Sequence, residues 1–105
     1  MAPALDGYLE AVANVYRREM LLALIDHNPQ FDRAALTYGS NQPLEDRQVA
    51  LEMEHIHLPK LVDMGLVRWD RDEHEVKRGP EFEKIVPLLA LLPTQRSGFV
   101  DDRSP

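Results

Sequence analysis

Two histidines spaced two apart, His55 and His57, are the residues in this sequence that most invite a chemical reading. On a helix that spacing turns the side chains about 200° from one another, so the pair cannot close on one metal ion. The chain has no cysteine, which removes disulfides, soft-metal thiolate sites and thiol nucleophiles together. Ser40, Ser97 and Ser104 lie in loop-like or terminal sequence with no nucleophile elbow. The five glycines are isolated, so no phosphate-cradling loop is present. Carboxylates are plentiful but scattered over surfaces rather than paired in a recognisable pocket. The expectation is a protein without catalytic residues, metal, cofactor or small-molecule substrate. A site between subunits using His27 or His74 stays open.

The remaining chemistry is charge. Eighteen acidic residues against twelve basic give a net charge of −6, and the bases are nine arginines with only Lys60, Lys77 and Lys84. A strongly acidic, lysine-poor surface suits concentrated salt, where self-repulsion is screened. An ordinary acidic protein from a GC-rich genome is the other reading. Arg17 and Arg18 are expected to form structural ion pairs with acids such as Asp46 or Asp63, or to touch a nucleic-acid backbone. Trp69 reads as a core anchor rather than a stacking platform.

These residues sit on elements legible from hydrophobic period. At 105 residues, 44% apolar and 29% charged, the chain fits one folded domain, residues 1–93, with a modest core and a polar, disordered tail over 94–105. No apolar run is long enough for a membrane span, and the N-terminus lacks a signal peptide's basic region; a soluble cytoplasmic protein is expected. Leu5, Tyr8, Leu9, Val12, Tyr16, Met20 and Leu24 line a helical face, split at Asn14, which is a good cap. Asn28-Pro29 ends it. Phe31, Ala34, Ala35 and Tyr38 fit a short helix closed by Gly39, followed by a loop over 40–43.

A helix over 44–64 is expected to turn Val49, Met53, Ile56, Leu61 and Met64 inward, to bend between His55 and Pro59, and to stop at Gly65. Residues 66–79 alternate as a two-stranded hairpin whose Trp69 and Val76 lean on the helices. Pro80 opens a last helix over 80–92. Seven large apolar residues in its last eleven positions exceed what one face of a small domain can bury. A second copy of the chain would cover the rest. The self-contact is expected on Leu5, Tyr8, Leu9 and Val12 of the first helix with Phe82, Ile85, Leu88, Leu89 and Leu92 of the last.

Helices, then a hairpin, then a helix is the order of a winged helix-turn-helix, a mainly α fold with a small β-hairpin. Ala11-Val12-Ala13-Asn14-Val15-Tyr16-Arg17-Arg18-Glu19-Met20-Leu21 resembles the opening of ArsR-like (arsenic-repressor-type) regulators. His57-Leu58-Pro59-Lys60-Leu61, continuing to Gly65-Leu66-Val67 and Trp69-Asp70, resembles a group of small haloarchaeal winged-helix domains of uncharacterised function. The likeness spans residues 8–92. It implies a transcriptional regulator that binds double-stranded promoter DNA as a homodimer. Arg47, Gln48, Glu52 and His55, with Lys60 further along, would face the major groove, and Arg68, Arg71, Lys77 and Arg78 of the wing would meet phosphate or the minor groove. Against this, the 44–64 helix has a net charge of −3, which a phosphate-lined groove repels in dilute salt. The alternative is a protein–protein adaptor that uses the acidic helix as its contact face.

Overall fold

The computed structural model describes residues 4–32 and 44–92. Residues 33–38 of the short helix expected over 31–38, the loop at 40–43 and the 94–105 tail lie outside the described residues. Two helices, α1 (Ala4–Ala13) and α2 (Val15–Asp26), meet at Asn14. Asn14 is extended, and its side-chain oxygen accepts from the amides of Tyr16 at 2.8 Å and Arg17 at 3.1 Å. This caps α2 by satisfying two of its free N–H groups, as the sequence suggests.

Past Asn28-Pro29 the chain becomes a short strand, β1 (Gln30–Phe31), rather than the start of a helix. Gln30 reaches back to donate to the carbonyls of Ala23 and His27, fixing its backbone beside the end of α2. β1 pairs antiparallel with β3 (Glu75–Arg78), which also pairs with β2 (Val67–Asp70), so the sheet has three strands in the order β1-β3-β2. The hairpin is where the sequence puts it; the third strand is the addition. It covers an edge that a lone two-stranded ribbon would leave open. Trp69 stands opposite Val76 on the core side, and Arg68 opposite Lys77 on the other.

Between β1 and β2 runs a helical stretch of three parts: α3 (Leu44–Glu52), a π-helical turn (Met53–His57) and α4 (Leu58–Asp63). Pro59 has no N–H to donate and its ring crowds the preceding turn. The helix responds by widening rather than breaking. Leu58 N–H donates to Met53 O, five residues back, which stacks Leu58 over Met53 instead of about 140° away as in an α-helix. Met53, His57, Leu58 and Leu61 are consequently buried, whereas Ile56, expected inward, is 53% exposed. The stripe read from the sequence assumed an unbroken α period, and the extra residue rotated Ile56 out.

Gly65 follows with φ of 75°, the left-handed stop expected of it. Here the chain crosses itself closely. Gly79 N–H donates to Leu66 O, Glu81 N–H donates to Gly65 O, and a Cβ on Gly79 would lie 2.5 Å from Gly65 O. Only glycine fits. Because Gly79, Pro80 and Glu81 are held in that crossing, α5 (Phe82–Leu91) begins two residues later than Pro80 suggests. It contains Pro87 and buries Phe82, Ile85 and Leu89 against Ala11, Val12, Leu21, Leu24, Leu66, Val67 and Val76. Each large side chain in that core contributes roughly 1.5–3 kcal/mol. The architecture is mainly α-helical with a small three-stranded antiparallel sheet.

Candidate nucleic-acid interface

The hairpin root holds two open cations. Arg68 and Lys77 are both exposed and stand directly opposite one another on the sheet's outer face. Among the described residues neither is in an ion pair. The next pair toward the turn is Asp70 opposite Glu75, and Asp72 and Glu73 follow. The face is therefore basic at the root and acidic at the tip. Arg71 lies over the Trp69 ring at 4.1 Å from its centre and comes within 3.9 Å of Glu54, which positions its guanidinium before any partner arrives. Arg68, Trp69, Asp70, Arg71, Asp72 and Lys77 together line an open groove.

The other expected contacts divide. Gln48 and His55 are exposed on the α3 and π-turn side, with His55 3.9 Å from Glu54. Gln48 and Glu52 also line a shallow groove against Tyr16, Leu44, Glu45 and Val49. Arg47 is half-buried, its Nε without a hydrogen-bond partner. Lys60 is paired with Glu10 at 3.0 Å, tying α4 to α1 and holding the Glu10 carboxyl below its ordinary pKa. Arg78 faces inward: its Nε donates to Leu24 O at 2.8 Å and its Nη2 to Ile25 O at 3.0 Å, closing the end of α2. Its guanidinium lies over Phe82. Neither Lys60 nor Arg78 is free in the way Arg68 and Lys77 are.

Arg17 and Arg18 are likewise structural, but not through the acids expected. Arg17 is buried and donates from Nε to Ala11 O and from Nη2 to Glu10 O, while Arg18 donates to Val12 O. Three successive carbonyls at the end of α1 are thus satisfied by two arginines of α2. The remaining guanidinium nitrogen of Arg17, Nη1, meets His57 Nδ1 at 3.0 Å. His57 thus sits against α2, with the Tyr16 ring beside it. Burial, reinforced by Arg17 and opposed by Glu52, holds its pKa below the ordinary histidine value.

A second cluster has no counterpart in the sequence reading. The Asp32 carboxylate is fully buried and accepts from the Trp69 indole at 2.7 Å, with His74 Nδ1 at 3.2 Å. His74 takes a left-handed backbone, φ 55°, to reach it. Trp69 anchors the hairpin as expected, through a hydrogen bond as well as packing. The only sequence signal for this cluster was a lone aspartate after an aromatic. Among the described residues no group of three or more histidines and acids is placed to hold a metal ion.

The expected self-contact residues also divide. Val12, Phe82, Ile85 and Leu89 are 5% exposed or less and belong to the protomer's own core, so they leave the candidate interface. Tyr8, Leu88 and Leu92 pack partly on that core, whereas Leu5 and Leu9 stand exposed at 61% and 46%, as does Leu91, which was not among the expected contacts, at 80%. Among the described residues no helix is long and apolar enough to cross a membrane. No protein family, curated protein or solved structure matches the chain.

Proposed function

We propose that this is a winged helix-turn-helix transcriptional regulator that binds double-stranded DNA without catalysing a reaction. The observation that carries the reading is a helical stretch that leads through the Gly65 turn into the β2–β3 hairpin, with β1, from before that stretch, pairing on β3 to give the strand order β1-β3-β2. In that arrangement the 44–63 stretch is the reading helix and the hairpin its wing. Gln48 and His55 are the side chains available to base edges. Arg68 and Lys77 bind phosphate near the wing root, and Arg71, which starts the turn and is held over Trp69, adds a third cation beside the acidic tip. Arg47 and Glu52 are secondary, and Lys60 and Arg78 serve the fold. Two copies associate through the exposed apolar residues of α1 and α5, Leu5, Leu9 and Leu91, bringing two reading helices to one site. The acidic, lysine-poor surface fits a regulator of salt-rich cytoplasm, in keeping with the resemblance to haloarchaeal domains and ArsR-like regulators.

The test is fluorescence anisotropy against DNA from upstream of the chain's own gene and against a scrambled duplex, in potassium chloride from about 0.2 to 3 M. Preferential, salt-tolerant binding of the upstream duplex is the expected result. Absence of binding to either duplex overturns the reading.

One observation favours a second reading. Leu44, Leu51 and Ile56 are exposed on the same acidic helical stretch, at 69%, 44% and 53%. Apolar side chains among carboxylates suit a basic amphipathic protein segment better than a phosphate-lined groove. The adaptor reading predicts that reversing Glu45 and Glu54 abolishes capture of such a partner while leaving the fold intact.

A further inference from the structure

The contact between Arg17 and His57 joins the first two helices to the π turn. A guanidinium carries only donors, so the imidazole Nδ1 that meets Arg17 Nη1 at 3.0 Å is the acceptor and bears no proton. The ring's single proton is then on Nε2. That atom is buried without a hydrogen-bond partner, and the Glu52 carboxylate stands 3.8 Å away, too far for one. A second proton would have to enter at Nδ1, pointing at Arg17. Two donors and two positive charges would meet where both side chains are at least nine-tenths buried.

Each element packed around His57 contributes to this balance. From α2 come Arg17 and the Tyr16 ring, with 6.2 Å between ring centres. From α3 comes Glu52, the one group that favours the cation. α1 contributes the Glu10 and Ala11 carbonyls bound by the same guanidinium, while the Glu10 carboxylate is engaged by Lys60 of α4. If His57 lost Arg17, the guanidinium would keep only its grip on α1.

We propose that the Arg17–His57 contact is an acid-released clasp, which holds the α1–α2 pair against the π turn while Nδ1 is bare and lets go when that nitrogen takes a proton. Release loosens α1, with its exposed Leu5 and Leu9, from the helical stretch that leads into the hairpin. This inference stands apart from DNA binding and survives its failure. The direction in pH follows from the buried ring resisting protonation. The unfolded histidine takes a proton near its ordinary pKa of about 6.5, the folded one only at lower pH. The contribution is therefore complete above about pH 6.5 and is lost as pH falls toward the folded value, by up to about tenfold in the folding constant per pH unit.

Urea unfolding of the full chain between pH 7.5 and 5.5 tests the clasp by comparing the wild type with His57→Asn. The asparagine oxygen can accept from Arg17 and does not titrate. His27, His55 and His74 are common to both proteins, so their contributions cancel in the difference. The wild type should lose several-fold more of its folding constant than His57→Asn between pH 6.5 and 5.5, and equal losses overturn the proposal. If His57→Asn does not fold, nitrogen NMR of the wild-type imidazole decides. A neutral ring protonated on Nε2 at pH 6.5 supports the clasp; a ring already charged at that pH overturns it.

Discussion

Arg17 and Arg78 on one side, and Arg68 and Lys77 on the other, divide the cations of this small acidic protein into two kinds. The first two close helix ends: Arg17 takes the carbonyls of Glu10 and Ala11, and Arg78 those of Leu24 and Ile25. The other two stand opposite each other on the open face of the sheet. A helix C-terminus leaves four carbonyls without partners and carries partial negative charge, so a guanidinium arriving from elsewhere is well matched to it. Neither α1 nor α2 has a basic residue in its own last turn. The caps come instead from the following helix and from a strand about fifty residues away in sequence. Positive charge in this chain therefore has two uses, and backbone geometry decides which residue serves which.

The sharpest way to break that distinction is to remove Arg17. Arg17→Met keeps much of the side chain's bulk but strands two carbonyls and the His57 acceptor in a largely buried site. A loss of about 2–4 kcal/mol is expected, lowering Tm by on the order of 10 °C or more. A Tm within a degree or two of wild type would place Arg17 with the open cations.

Arg78 comes next, because fold analogy and structure disagree about it. Arg78→Ala should cost about 1–2 kcal/mol by uncapping α2, and it should leave the salt dependence of DNA binding unchanged. A normal Tm with a shallower salt slope would return Arg78 to the DNA-contacting set. Replacing Arg68 and Lys77 together by alanine should do the reverse. Stability should stay within about 0.5 kcal/mol of wild type, and the slope of log affinity against log salt should fall by about two.

Legibility followed the same divide. The helix break at Asn14, the stop at Gly65 and the β2–β3 hairpin are readable because each depends on residues close in sequence, whereas the bond by which Trp69 anchors that hairpin spans 37 residues. The inward stripe of the 44–64 helix was read with Ile56 in place of Leu58, because a proline can be absorbed by widening a turn as well as by bending it. The roles of Arg17, Arg78 and Asp32 were not readable, since their partners are carbonyls and ring nitrogens brought near only by the completed fold. The exposed cations Arg68 and Lys77 follow from fold analogy, and among the described residues no ion pair occupies them.

Lys60 lies between the two kinds, and its effect should be the smallest. Its ammonium pairs with Glu10 across α1 and α4 at 3.0 Å, but the Glu10 carboxylate is solvent-exposed. Such a pair is screened by salt. Glu10→Gln should lower Tm only slightly in dilute buffer, and the difference should vanish in molar potassium chloride. The Lys60 partner depresses the Glu10 pKa, so the pair's contribution is present above about pH 4.5 and fades as pH falls through the depressed value. A Glu10→Gln deficit that persists in molar salt would mean that Lys60 holds α1 as firmly as Arg17 does. It would then join the structural set. A deficit that disappears would leave Lys60 tethered in dilute buffer and free in strong salt, the condition in which the proposed regulator would meet its DNA.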